Sequence, residues 1–169
     1  MKRYLLLFLF VISILHTYSQ NNDSLQIQST DSSIDSLTIK LEKLQNSYDY
    51  LTCDYNLYRL QTRLDNLLNC INIKANELII NVYHNRYEWT LYKTYLDYYD
   101  AYCALYNAIK EEYEALIDLI SLKVAMSNFS ETELSALDAS FSAINKSFPS
   151  IDAALEFFNL AIQSYKSKR

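Results

Sequence analysis

The sequence predicts an all-α fold, an elongated antiparallel bundle or coiled coil of three long helical segments, on three observations. The 169-residue chain has no glycine and a single proline, Pro149. Glycine is the default residue for positive φ and for the favoured hairpin turns, so its absence speaks against β-hairpin structure. From Ile34 to Tyr165 apolar residues recur at helical spacings, and capping signals punctuate them.

The first twenty residues stand apart. Lys2 and Arg3 precede an apolar run from Leu5 to Leu15, followed by His16, Thr17, Tyr18 and Ser19. A basic start, a hydrophobic segment and a small residue at a cut site make a secretory signal. The run is about half the roughly 20 residues that a spanning helix needs, so cleavage rather than anchoring is expected, leaving no membrane insertion afterwards. Residues 1 to 19 are therefore assigned to the signal. Residues 20 to 32, rich in Ser, Asn, Gln, Thr and Asp, read as a flexible polar tether. Residues 33 to 169 are expected to form one helical-bundle domain.

Within that domain Leu37, Leu41, Leu44, Tyr48, Leu51, Tyr55 and Tyr58 follow one another at alternating gaps of four and three, a heptad stripe on one side of a helix. Ser32 with Asp35 offers a start. After Tyr58 the phase slips by one residue and resumes as Leu64, Leu68, Ile71, Ala75, Leu78 and Val82. A slip of this kind alters supercoiling without ending a helix. The same phase continues beyond residue 85, so residues 33 to 127 can be drawn as one helix or two. Asn85 with Glu88 three residues on resembles a capping signature, which favours a turn near residue 83.

The second segment, 86 to 127, carries seven tyrosines and the one tryptophan between Tyr87 and Tyr106. With Trp89, Leu96 and Cys103 at heptad position a, Tyr92, Tyr99 and Tyr106 fall at d, Tyr95 and Tyr102 at g, and Leu91, Tyr98 and Leu105 at c. Those four positions are contiguous around the wheel, so this helix is expected to touch two neighbours. The third segment opens at a capping box, Ser130 with Glu133, and continues through Leu137, Phe141 and Ile144. Pro149 is expected to break it, because proline removes a helical N–H and crowds the preceding turn. Ile151, Leu155, Phe158, Ile162 and Tyr165 then complete it, and Lys166 and Lys168 suit the negative end of the helix dipole. Each segment is about 60 Å long by helical rise.

Composition excludes whole classes of function. Phosphate loops, dinucleotide fingerprints and nucleophile elbows all need glycine at fixed places. Fifteen basic residues less Lys2 and Arg3 leave thirteen against twenty acidic ones, a formal charge of −7 for the exported chain. A nucleic acid is thus not an expected partner, since phosphate neutralisation needs a basic face.

Candidate chemistry is sparse. His84, the one histidine outside the signal, lies four residues before Glu88. Two ligands do not complete a metal site, so no metal and no cofactor is expected. Asp97 with Asp100, and Glu111, Glu112 and Glu114, read as a solvated face rather than paired catalytic carboxylates. Cys53, Cys70 and Cys103 are odd in number, which in an exported protein points to one bridge. Cys53 and Cys70 are about 25 Å apart along one rod. A turn near residue 83 would instead set Cys70 opposite Cys103, the candidate disulfide.

The tyrosines themselves read first as inter-helical packing. Tyr87, Trp89, Tyr95, Tyr98 and Tyr102 are the candidates for gripping a ligand or partner, because exposed Tyr and Trp favour binding surfaces. The leading expectation is an exported interaction or scaffold protein of a Gram-negative envelope, periplasmic or at the cell surface, with no catalytic chemistry. Its partner would be an envelope protein or a second copy of itself. An aromatic module that binds a glycan or small ligand is the alternative.

Overall fold

The computed structural model describes residues 24 to 84 and 86 to 168. Among the described residues there are three helices: α1 (Ser24–Tyr83), α2 (Trp89–Met126) and α3 (Glu131–Ser167). Two compact units divide the chain, one ending at Leu44 and one from Gln45 to Arg169, and α1 contributes to both.

The second unit is a three-helix bundle. Its α1 face buries Cys53, Leu57, Leu60, Leu64, Leu67, Ile71, Ala75 and Leu78, again at gaps of three and four. Tyr92, Tyr95, Tyr106, Ile109, Tyr113, Leu116 and Ile120 face them from α2. From α3 come Leu137, Ile144, Ile151, Leu155, Phe158, Ile162 and Tyr165. Polar contacts fix the register. Lys123 Nζ donates to Asp49 Oδ1 at 2.7 Å, Arg59 Nη2 to Glu112 Oε1 at 2.7 Å, and Asn81 Nδ2 to the Tyr95 hydroxyl at 3.1 Å, so α1 and α2 run antiparallel. Tyr113 donates to Asn145 Oδ1 at 3.0 Å and Tyr106 to the Phe148 carbonyl at 3.1 Å, tying α3 antiparallel to α2. Gln61 Nε2 meets Ser147 Oγ at 2.9 Å between α1 and α3.

Several expectations meet the structure differently. The signal, residues 1 to 19, lies outside the described residues, as does the tether up to residue 23. From Ser24 onward the tether stretch is helical, and Ser32 is inside α1 rather than at its cap. Once a helix is nucleated, each added residue gains a backbone hydrogen bond, so a polar sequence without Gly or Pro extends it at little cost. The bundle unit itself starts at Gln45, later than residue 33.

The chain does turn after Tyr83, but the N-cap of α2 is Glu88, whose side chain makes no capping bond; Asn85 lies outside the described residues. The turn is held from the far end of α3 instead. The buried Tyr165 hydroxyl accepts from the Glu88 N–H at 2.8 Å and donates to the Arg86 carbonyl at 2.8 Å. A distant side chain thus satisfies backbone groups that a local cap would otherwise serve.

Pro149 does not break the third segment. α3 is continuous from Glu131 to Ser167 with Pro149 inside it. Pro149 sits on the exposed side, while Ile144 and Ile151 are fully buried on the other, so packing on both flanks offsets the proline penalty of about 3 kcal/mol. Ser150 Oγ donates to the Lys146 carbonyl at 3.4 Å, close to where the ladder is weakened. The Ser130–Glu133 capping box forms as expected, with Ser130 N–H donating to Glu133 Oε2 at 2.8 Å and Glu133 N–H donating to Ser130 Oγ at 3.3 Å.

Candidate functional site

The heptad stripe from Leu37 to Tyr58 is a helical face, but it is not the bundle face. All seven of its residues are between 59% and 68% exposed. The buried series that begins at Cys53 and Leu57 lies about half a turn away at roughly 100° per residue, so α1 carries two apolar stripes on opposite sides. The exposed stripe occurs in both units: Leu37, Leu41 and Leu44 in the first, and Tyr48, Leu51, Tyr55 and Tyr58 in the second. In the first unit every described side chain, Ser33 to Leu44, is exposed. In the second unit Tyr48, Leu51, Tyr55 and Tyr58 make an exposed apolar row on one helix, the kind of surface that marks interaction sites.

Beneath the second-unit stripe the helix is held by charge. Asp49, buried, accepts from Lys123 and from Ser127 Oγ at 3.2 Å. Burial alone would raise its carboxyl pKa; the bonds from Lys123, Gln45 and Ser127 outweigh that and hold it below the usual range. Glu112 behaves alike. Burial opposes its ionisation, and the guanidiniums of Arg63 and Arg59 overcome it.

The aromatic candidates do not gather into one exposed platform. Tyr95 is buried and packs edge-on against Phe158 at 6.3 Å. Tyr102 lies against the same ring, and Tyr98 stacks on Tyr102 at 6.1 Å with Lys74 Nζ 5.1 Å from its own ring centre. Tyr87 packs on Tyr165 at 5.3 Å and donates to the Val82 carbonyl at 3.0 Å. Trp89 is 56% exposed, with its ring 5.4 Å from Tyr92 at the turn. The buried face of α2 is made by positions d and g rather than a and d: Tyr92, Tyr106, Tyr113 and Ile120 with Tyr95, Ile109 and Leu116. An open groove of about 430 Å³ between α2 and α3 is lined by Tyr99, Cys103, Tyr106, Lys110, Asp152 and Glu156. Lys110 Nζ sits there 3.8 Å from Asp152 and 4.3 Å from the centre of the Tyr106 ring.

Cys53 is buried, Cys70 exposed and Cys103 half-buried, and all three are free thiols. The Cys70–Cys103 bridge is not formed; a disulfide needs the two Cβ atoms close and their vectors convergent. His84 and Glu88 fall on either side of the turn rather than on one helical face. Among the described residues no group of three or more His, Cys, Asp or Glu is placed to hold a metal ion. Nor is any described helix long and apolar enough to cross a membrane.

Fold and surface together define a class: a tyrosine-packed three-helix bundle whose first helix presents a second, unburied heptad face. No family model matches the chain, and neither a curated protein nor a solved structure matches it.

The sequence missed which of two stripes is core. Cys53, Leu57, Leu60, Leu64 and Leu67 have the same spacing as the exposed series, and the second periodicity was there to be found. Asp49 and Tyr165 carried no motif; only the fold gives them partners.

Proposed function

We propose that the protein is an exported scaffold or interaction protein of a Gram-negative envelope, working by protein–protein contact through the exposed face of α1 rather than by chemistry. The observation that carries this is the row Tyr48, Leu51, Tyr55 and Tyr58 on the second unit's part of α1, exposed at every position although its spacing is that of a coiled-coil seam. The secretory pattern of residues 1 to 19 supports the location. Saccharide binding gains little support from the rings, since Tyr95, Tyr98 and Tyr102 are engaged with one another, with Phe158 and with Lys74.

The test is site-specific photo-crosslinking in the producing cell. A photoreactive residue at Leu44 or Leu51 is expected to yield discrete protein adducts, whereas the same residue at the exposed Glu114 of α2 yields none. Equal adduct patterns at all three positions would defeat the proposal.

A further inference from the structure

We infer that the face of α1 exposed on the second unit docks on the same face of a second copy of this chain, antiparallel, about a two-fold axis at the level of Asp65 and Asn66. This rests on the proposed use of that face and adds its occupant and orientation. Every residue concerned lies between Tyr48 and Tyr83, inside the second unit.

The exposed row does not end at Tyr58. Continued at steps of three and four residues, the same side of the helix carries Thr62, Asn66 and Asn69, and then Ile73, Asn76, Ile80 and Tyr83, all exposed. From Tyr48 to Tyr83 no charged side chain stands in this row. The exposed positions of the other helices differ: α2 presents Asp97, Asp100, Glu111 and Glu114, and α3 presents Asp138, Lys146, Asp152 and Glu156. Depletion of charge with enrichment of tyrosine is the composition of an interface core.

The row also matches itself when turned end for end. Apolar residues hold both ends, and Thr62, Asn66 and Asn69 hold the centre. Centred between Asp65 and Asn66, the antiparallel pair sets Leu51 level with Ile80 of the second copy, Tyr58 with Ile73, Thr62 with Asn69, and Asn66 beside its own counterpart. Each pairing occurs twice, so the contact is isologous and closes at a dimer. Tyr48, Tyr55 and Tyr58 come from one end and Ile73 and Ile80 from the other, so rings interdigitate with smaller branched chains. A parallel pair would stack each ring on its own copy. The central amides fix the register, because sliding either helix would bury an amide against an apolar chain.

Area and charge favour a second copy as occupant. By helical rise the row is about 53 Å long, and a helix is about 10 Å across. The strip therefore offers about 500 Å² on each copy and about 1,000 Å² for the pair, the size that a specific interface reaches. The chain is acidic overall, so two copies repel one another except across a face that carries no charge. A basic partner would be matched by carboxylates, which this row lacks.

Sedimentation equilibrium of the exported chain is expected to give a dimer. Leu51→Asp with Ile80→Asp, both at exposed positions, should weaken it by more than about a hundredfold with unchanged helix content by circular dichroism. Orientation is read by disulfide trapping in a Cys70→Ser chain, which removes the exposed native thiol. Asn66→Cys should link the two copies on mild oxidation, whereas Ile80→Cys, about 43 Å from its counterpart by helical rise, should not. Leu51→Cys mixed with Ile80→Cys should link again. A wild-type chain that stays monomeric at about 100 µM, far above a micromolar Kd, overturns the second copy as occupant while leaving adducts from Leu51 in the cell intact. A dimer that survives the two aspartates overturns the use of this face, and one that links through Ile80→Cys as readily as through Asn66→Cys overturns the antiparallel arrangement.

Discussion

Tyr165 shows how much a single hydroxyl can organise. Fully buried near the end of α3, it receives the Glu88 N–H and gives its own proton to the Arg86 carbonyl, closing a turn that contains no glycine and whose N-cap residue, Glu88, makes no side-chain capping bond. Tyr165→Phe keeps the ring contacts with Tyr87 and Tyr92 but strands those backbone groups. It is expected to cost about 1–3 kcal/mol, read as a lower urea midpoint with unchanged slope. Asp49 makes the second prediction at this scale. Its carboxyl pKa is lower in the folded chain than in the unfolded one, so the stability it contributes is present at neutral pH and is lost as pH falls through the folded value. Glu112 adds to the same trend. Stability should therefore drop below about pH 4, under the ordinary carboxylate range. Asp49→Asn should flatten that acid limb, and an unaltered limb would show that the Lys123 pair contributes nothing.

At the scale of the element, α1 is one helix with two apolar faces, and the faces differ in what they do for folding. Leu57 and Leu51 are chemically identical and six residues apart, yet one is fully buried and the other 61% exposed. Leu57→Ala is expected to destabilise the bundle by about 2–5 kcal/mol. Leu51→Ala should change it by less than about 0.5 kcal/mol when the chain is dilute enough to be monomeric. Thermal melts of the two variants at low concentration check the contrast. α3 adds a second lesson: Pro149 reads as a break, yet buried Ile144 and Ile151 on one side and tyrosine hydroxyls from α2 to Asn145 and Phe148 keep the helix whole.

For the whole molecule, burial divides the described chain unevenly. Residues 33 to 44 bury no side chain, whereas the bundle unit holds a continuous core from Cys53 to Tyr165. Local stability follows buried contact, so native-state hydrogen exchange in dilute solution should find the amides of residues 33 to 44 opening at low cost. Those between Leu60 and Ile71 should exchange only with global unfolding. Uniform protection across α1 would contradict this.

The sequence by itself determined the all-α class, the Ser130–Glu133 box and the role of tyrosine as core, because each follows from local backbone preference and from the period of the apolar pattern; it favoured a turn near residue 83 but left one helix or two open. It did not determine which of two equivalent stripes on α1 meets the bundle, that α2 packs through d and g, or that α3 runs through Pro149. Periodicity says which residues share a face, but the choice of the face that is buried is made by the neighbouring helices. Only tertiary packing brings Asp49 to Lys123 and Tyr165 to Glu88, and in doing so leaves the other side of α1 facing outward.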